Sequence, residues 1–204
     1  VVWFHGGGLT GGRREIPEEL LAGGFAVAGV EYRLSPQTPV AGCLEDAAAA
    51  VAWVVRHIAS YGGDPELIFL AGHSAGGYLV SMLGLDKRWL AAQGLDPDRA
   101  VAAVIPYSGQ AVTHFTRRAE LGMPAGQPLV DDMAPLFHVR ADAPEMLGRY
   151  EENAYFWRML RIAGHPDVRL LEFDGYDHGN MPQAGHPAAV RYIRGRCDKI
   201  RNGR

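Results

Sequence analysis

Short aliphatic runs recur at residues 1–4, 25–30, 67–71, 101–105 and 168–173, separated by longer stretches whose apolar residues fall at helical spacing. The runs themselves show little apolar/polar alternation, which is the pattern of strands covered on both faces. The spacing predicts helices over about 44–60, 75–83, 146–163 and 187–194, with Gly84, Gly94 and Gly164 at the returns. Strands alternating with helices imply a parallel arrangement joined by helical crossovers. The predicted class is therefore α/β, a mostly parallel central sheet flanked by helices, in one domain over residues 1–204. Residues 108–135, rich in Gly, Pro, Met and Thr, break the alternation and are predicted to form a long excursion over one end of the sheet.

Composition narrows the function classes. A 204-residue chain that is 48% hydrophobic can bury one substantial core without disulfides or structural metal. Its formal net charge of −3, with no long run of either sign, gives no draw toward nucleic acid or an anionic membrane. No run approaches the ~18 apolar residues of a membrane span; the longest, 47–55, stops at Arg56. Cys43 and Cys197 are widely spaced, lack metal-ligand spacing and read as free thiols. The sequence opens at Val1 inside a strand pattern, so a targeting segment would lie outside these residues, and the cytoplasm is the expected compartment.

The chemistry concentrates where runs end. Gly72-His73-Ser74-Ala75-Gly76 follows a strand-like run and enters a helical pattern, so Ser74 is predicted at a sharp strand-to-helix turn. Small residues on either side of it allow strand and helix to approach closely and lift the hydroxyl into reach. His5-Gly6-Gly7-Gly8 ends the first run, and such a turn presents bare backbone N–H groups. Gly6 and Gly7, joined by Ala75 at the start of the following helix, are candidates for holding an oxyanion, where one donor is worth ~3 kcal/mol. Near the C-terminus, Asp174-Gly175-Tyr176-Asp177-His178-Gly179 follows the last run. An imidazole, titrating near ~6.5 when unperturbed, can take a serine proton and return it, which makes His178 the candidate general base. His5 and His73 read as scaffolding for their turns, and the remaining histidines as solvated polar residues. Asp46 reads as a charge at a helix N-terminus and Arg33 as a structural partner of backbone or carboxylates.

These motifs, with Glu31-Tyr32-Arg33-Leu34-Ser35-Pro36 and Tyr61-Gly62-Gly63-Asp64-Pro65 between them, resemble the α/β-hydrolase fold and, within it, the bacterial carboxylesterases similar to hormone-sensitive lipase. The resemblance implies a serine esterase that cleaves small carboxylic esters through an acyl-enzyme, with no cofactor and no metal. It also implies that the N-terminal strands and cap-forming segment which members carry before the first motif are missing here. The family's triad acid ends an aliphatic strand, in an Asp about nine residues before the position of Tyr150. By that comparison Asp142 is the candidate acid and Glu145 the alternative, while the strand before it is absent or reduced to 136–140. Relatives of kynurenine formamidase share both glycine motifs, so an amide or formamide hydrolase with the same residues stays open, as does a hydrolase-fold binding domain that has lost activity. A small-molecule ester is the expected partner; the oligomeric state is not indicated.

Overall fold

Trp3 and its neighbours Val2 and Phe4 are all buried, yet they serve two different cores, because successive side chains on a strand leave opposite faces of the sheet. The computed structural model describes residues 1–124, 126–149 and 152–203. Within them six strands form one sheet: β1 (Val2–Phe4), β2 (Ala28–Val30), β3 (Phe69–His73), β4 (Ala103–Tyr107), β5 (Glu145–Arg149) and β6 (Val168–Leu171). Their order is β2-β1-β3-β4-β5-β6, and every neighbouring pair is parallel. The helices are α1 (Glu18–Ala22), α2 (Val40–His57), α3 (Ala75–Leu85), α4 (Lys87–Ala91), α5 (Pro97–Ala100), α6 (Phe115–Glu120), α7 (Glu152–Ile162) and α8 (Met181–Asn202).

Period-two alternation divides the apolar residues between the faces. Val2, Phe4, Leu70 and Val104 pack with α2, α3 and α7 on one side. Trp3, Phe69, Ala71, Ala103, Ile105 and Tyr107 pack with α1 and α8 on the other. Both faces are covered, which is why β1, β3 and β4 read as apolar runs. None of the described helices is long and apolar enough to cross a membrane.

The predicted α/β class and parallel sheet match the observed architecture, but three elements differ from the reading of the sequence. The stretch read as the start of a helix at Met146 is instead β5. Met146 pairs with Val104 of β4 and Val168 of β6 and is buried, so a place in the sheet overrides the local helical spacing. Residues 136–140, read as a vestigial strand, contain only a 3₁₀ turn, Pro135–His138. The last helix is longer than the predicted 187–194. Pro182 lies in its first turn, where a missing N–H costs nothing, and Pro187 is carried inside it.

Candidate active site

The chain enters the sheet at β1, crosses to β2 on one side, then returns to β3 on the other side of β1. Connections that leave β1 and β3 in opposite directions open a crevice at the strands' C-terminal ends. His5-Gly6-Gly7-Gly8 and His73-Ser74 both lie at this crevice, since Phe4 is in register with Gly72.

Ser74 is the single residue between β3 and α3, with φ 55° and ψ −113°. A positive φ is strained for a residue carrying a Cβ and persists only where the surroundings enforce it. Here they do: all of α3 is buried, and the Ser74 N–H donates to the Tyr107 carbonyl at 2.8 Å. The flanking glycines are required by close approach. A Cβ on Gly72 would lie 2.5 Å from the Gly76 carbonyl carbon, and one on Gly76 only 2.1 Å from the Phe4 oxygen.

His178 reaches Ser74 from the loop between β6 and α8, its Nε2 lying 2.9 Å from Ser74 Oγ. That loop is pinned from within. Asp177 Oδ1 accepts from the N–H groups of Gly179 at 2.8 Å and Asn180 at 2.9 Å, while Asn180 Oδ1 accepts from the Asp177 N–H at 2.7 Å. It is also held from outside, because His73 Nε2 lies 2.8 Å from the His178 carbonyl oxygen.

The glycine turn lies close to the serine, as a Cβ placed on Gly6 would be 3.4 Å from Ser74 Cβ. Gly7 has φ 115°, and its carbonyl accepts from the Thr10 and Gly11 N–H groups at 3.1 and 3.0 Å, closing the turn. Tyr32 stacks on the buried His5 ring at 4.3 Å and donates its hydroxyl to the His5 carbonyl at 2.9 Å. The excursion over 108–135 covers the turn's far side: Thr116 Oγ1 donates to the Gly8 carbonyl at 2.5 Å, and a Cβ on Gly8 would meet the Phe115 ring at 2.9 Å. Ala75 opens α3, so its N–H has no acceptor inside the helix.

The two candidate acids are elsewhere, which corrects the reading of the sequence. Glu145 begins β5 and is level with Ala103, the first residue of β4, whereas His73 is level with Tyr107, the last. Four residues of strand put ~13 Å between those levels. Asp142 precedes Glu145 and so lies at the N-terminal end of the sheet, away from Ser74. There it pairs with Arg140 at 3.1 Å and Lys87 at 3.5 Å, and the Arg140 guanidinium holds its carboxyl below the usual range. Glu145 pairs with Arg196 at 2.7 Å. Asp46 is not a helix N-terminal charge either: α2 starts at Val40, and Asp46 receives two bonds from the Arg33 guanidinium, each 2.8 Å. The position of Tyr150 lies outside the described residues.

Sequence reasoning missed Thr116 on the glycine turn and His73 on the His178 carbonyl. Both contacts join residues more than a hundred positions apart, and no local pattern encodes them. Among the described residues, no three His, Cys, Asp or Glu side chains are grouped to hold a metal ion.

Comparison with known proteins agrees with this fold. A solved structure of Thermogutta terrifontis esterase 2 phosphoramylated by tabun superposes with a TM-score of 0.75 at 25% identity, covering 95% of this chain and 81% of that one. A truncated carbohydrate esterase from gut microbiota has a TM-score of 0.79 at 17% identity, over 96% of this chain and 84% of that one, and supports the fold alone. Lipase 2 of Moraxella sp. (strain TA144) is 38% identical over 201 residues, 92% of this chain and 41% of its own. The probable carboxylic ester hydrolase LipM of Mycobacterium tuberculosis is 32% identical over 184 residues, 80% of this chain and 42% of its own. The chain thus spans about two fifths of the length of these curated relatives. The family model described as BD-FAE matches residues 1–147. With its parallel sheet, its serine at the strand-to-helix turn and this match, the chain has the α/β-hydrolase fold and belongs to the BD-FAE family.

Proposed function

We propose that this chain carries the catalytic machinery of a serine hydrolase acting on small carboxylic esters. The observation that carries the reading is Ser74 Oγ at 2.9 Å from His178 Nε2, on a strained turn that presents the hydroxyl at the switch-point crevice. Ser74 Oγ attacks the ester carbonyl carbon as its proton passes to His178 Nε2. The carbonyl oxygen takes up the negative charge and is held by the N–H groups of Gly6, Gly7 and Ala75. Collapse breaks the bond to the alcohol oxygen, which leaves with the proton from His178. Water then attacks the acyl-enzyme, gives a proton to His178, and releases the carboxylic acid as that proton returns to Ser74.

The curated relatives named lipase and carboxylic ester hydrolase support ester chemistry over amide chemistry. The near-neutral charge favours a small uncharged ester over nucleic acid or an anionic membrane as partner. The covalent intermediate is tested by rapid mixing with a p-nitrophenyl ester. The expected result is a burst of chromophore approaching one equivalent of protein, followed by slower turnover. Turnover of N-formyl aromatic amides with no hydrolysis of short acyl esters would overturn the substrate class.

A further inference from the structure

His73 stands immediately before the serine, and its ring lies close to two other parts of the site. Its Nε2 lies 2.8 Å from the His178 carbonyl oxygen. A carbonyl oxygen only accepts, so the hydrogen sits on His73 Nε2. A Cβ on Gly6 would lie 3.3 Å from His73 Nδ1, so the other edge of the ring faces the glycine turn. The His73 and His178 rings are 5.0 Å apart and tilted by 40°. The residue itself is fixed by β3, where it pairs in register with Tyr107.

We infer that His73 is a positioning residue, one that ties the backbone of the base loop to the nucleophile strand and so sets the height of the His178 ring above Ser74. The inference rests on His178 being the base. Its physical content is that the ring's distance to Ser74 is set by the hydrogen bond at the His178 carbonyl as well as by the side-chain torsions. A shift of about 1 Å in such a contact costs on the order of 100-fold in rate. Neither Asp142 nor Glu145 anchors this loop, since both are bound at the other end of the sheet.

Two substitutions separate positioning from bulk. His73→Gln keeps an N–H donor at nearly the reach of Nε2, whereas His73→Met keeps the length and loses the donor. The expected result is a fall in kcat of about 30- to 100-fold in the Met variant with KM within about twofold, and recovery to within about fivefold of the parent in the Gln variant. Hydrogen exchange across residues 174–180 should quicken in the Met variant and stay at the parent level in the Gln variant. Equal kcat in the two variants, or exchange unchanged in the Met variant, overturns the inference. Exchange needs no turnover, so a parent without activity would refute the base reading while leaving this one decidable. Should the Met variant fail to fold, ¹⁵N imidazole spectra of the parent decide: an Nε2–H tautomer at His73 supports the tether, and an Nδ1–H tautomer refutes it.

Discussion

Asp142 shows how a residue of the right type at a plausible place in the chain order can lie at the wrong end of a strand. Its charge is used on the surface, between Lys87 and Arg140, and its side chain is 68% exposed. Exposed ion pairs of this kind contribute about 0–1 kcal/mol. Asp142→Asn should therefore leave kcat within about twofold of the parent and the melting temperature within a few degrees, and Glu145→Gln should likewise keep kcat. A loss of several powers of ten in either variant, measured on folded protein, would mean that the carboxylate reaches the imidazole after all. The serine and the glycine turn are legible in the sequence because their chemistry is local. A tight turn needs small residues on both sides of Ser74, and that requirement is written within five positions. The contacts of His73 and Thr116 depend on register between distant elements, so the sequence carries no local sign of them.

Among the described elements, α6 joins the excursion to the glycine turn of the site. His114 is its N-cap, accepting from the Thr116 N–H at 3.2 Å, while the Thr116 hydroxyl holds the glycine turn. Burial, aided by the charge of Arg118, lowers the His114 pKa from 6.5 to about 3. Between those values the unfolded chain binds the proton and the folded chain does not, so stability rises with pH across that window and is lost as pH falls below about 6.5. Asn can also accept at an N-cap but does not titrate. In His114→Asn, the loss of unfolding free energy between pH 7 and pH 5 should shrink by about 2 kcal/mol relative to the parent. Urea unfolding at the two pH values measures it, and an undiminished loss would contradict the assignment. The strands β1, β3 and β4 were legible from their aliphatic runs, whereas β5 was not. Met146 follows Glu145 in a stretch whose apolar spacing suits a helix, and only the slot between β4 and β6 makes it a strand.

At the scale of the molecule, two cores lock a parallel sheet from both faces, and the switch in strand order sets β1 and β3 side by side. Each of the three motifs then lies at the C-terminal end of a strand, β1, β3 or β6, so residues more than a hundred positions apart meet at one crevice. The alternation of runs predicted the architecture because double coverage leaves its mark on β1, β3 and β4; the position of the acid did not follow, because order along the chain does not say which end of a strand a residue occupies. The proposed function requires that this fold make Ser74 an activated nucleophile. It is tested most directly by treating the parent and Ser74→Ala proteins with a fluorophosphonate and locating the adduct by peptide mass spectrometry. An ordinary serine hydroxyl is too weak a nucleophile to react without an adjacent base. One adduct is expected, on Ser74, in the parent and none in the variant; undiminished labelling of Ser74→Ala, or an unreactive parent, would show that Ser74 is not the activated nucleophile.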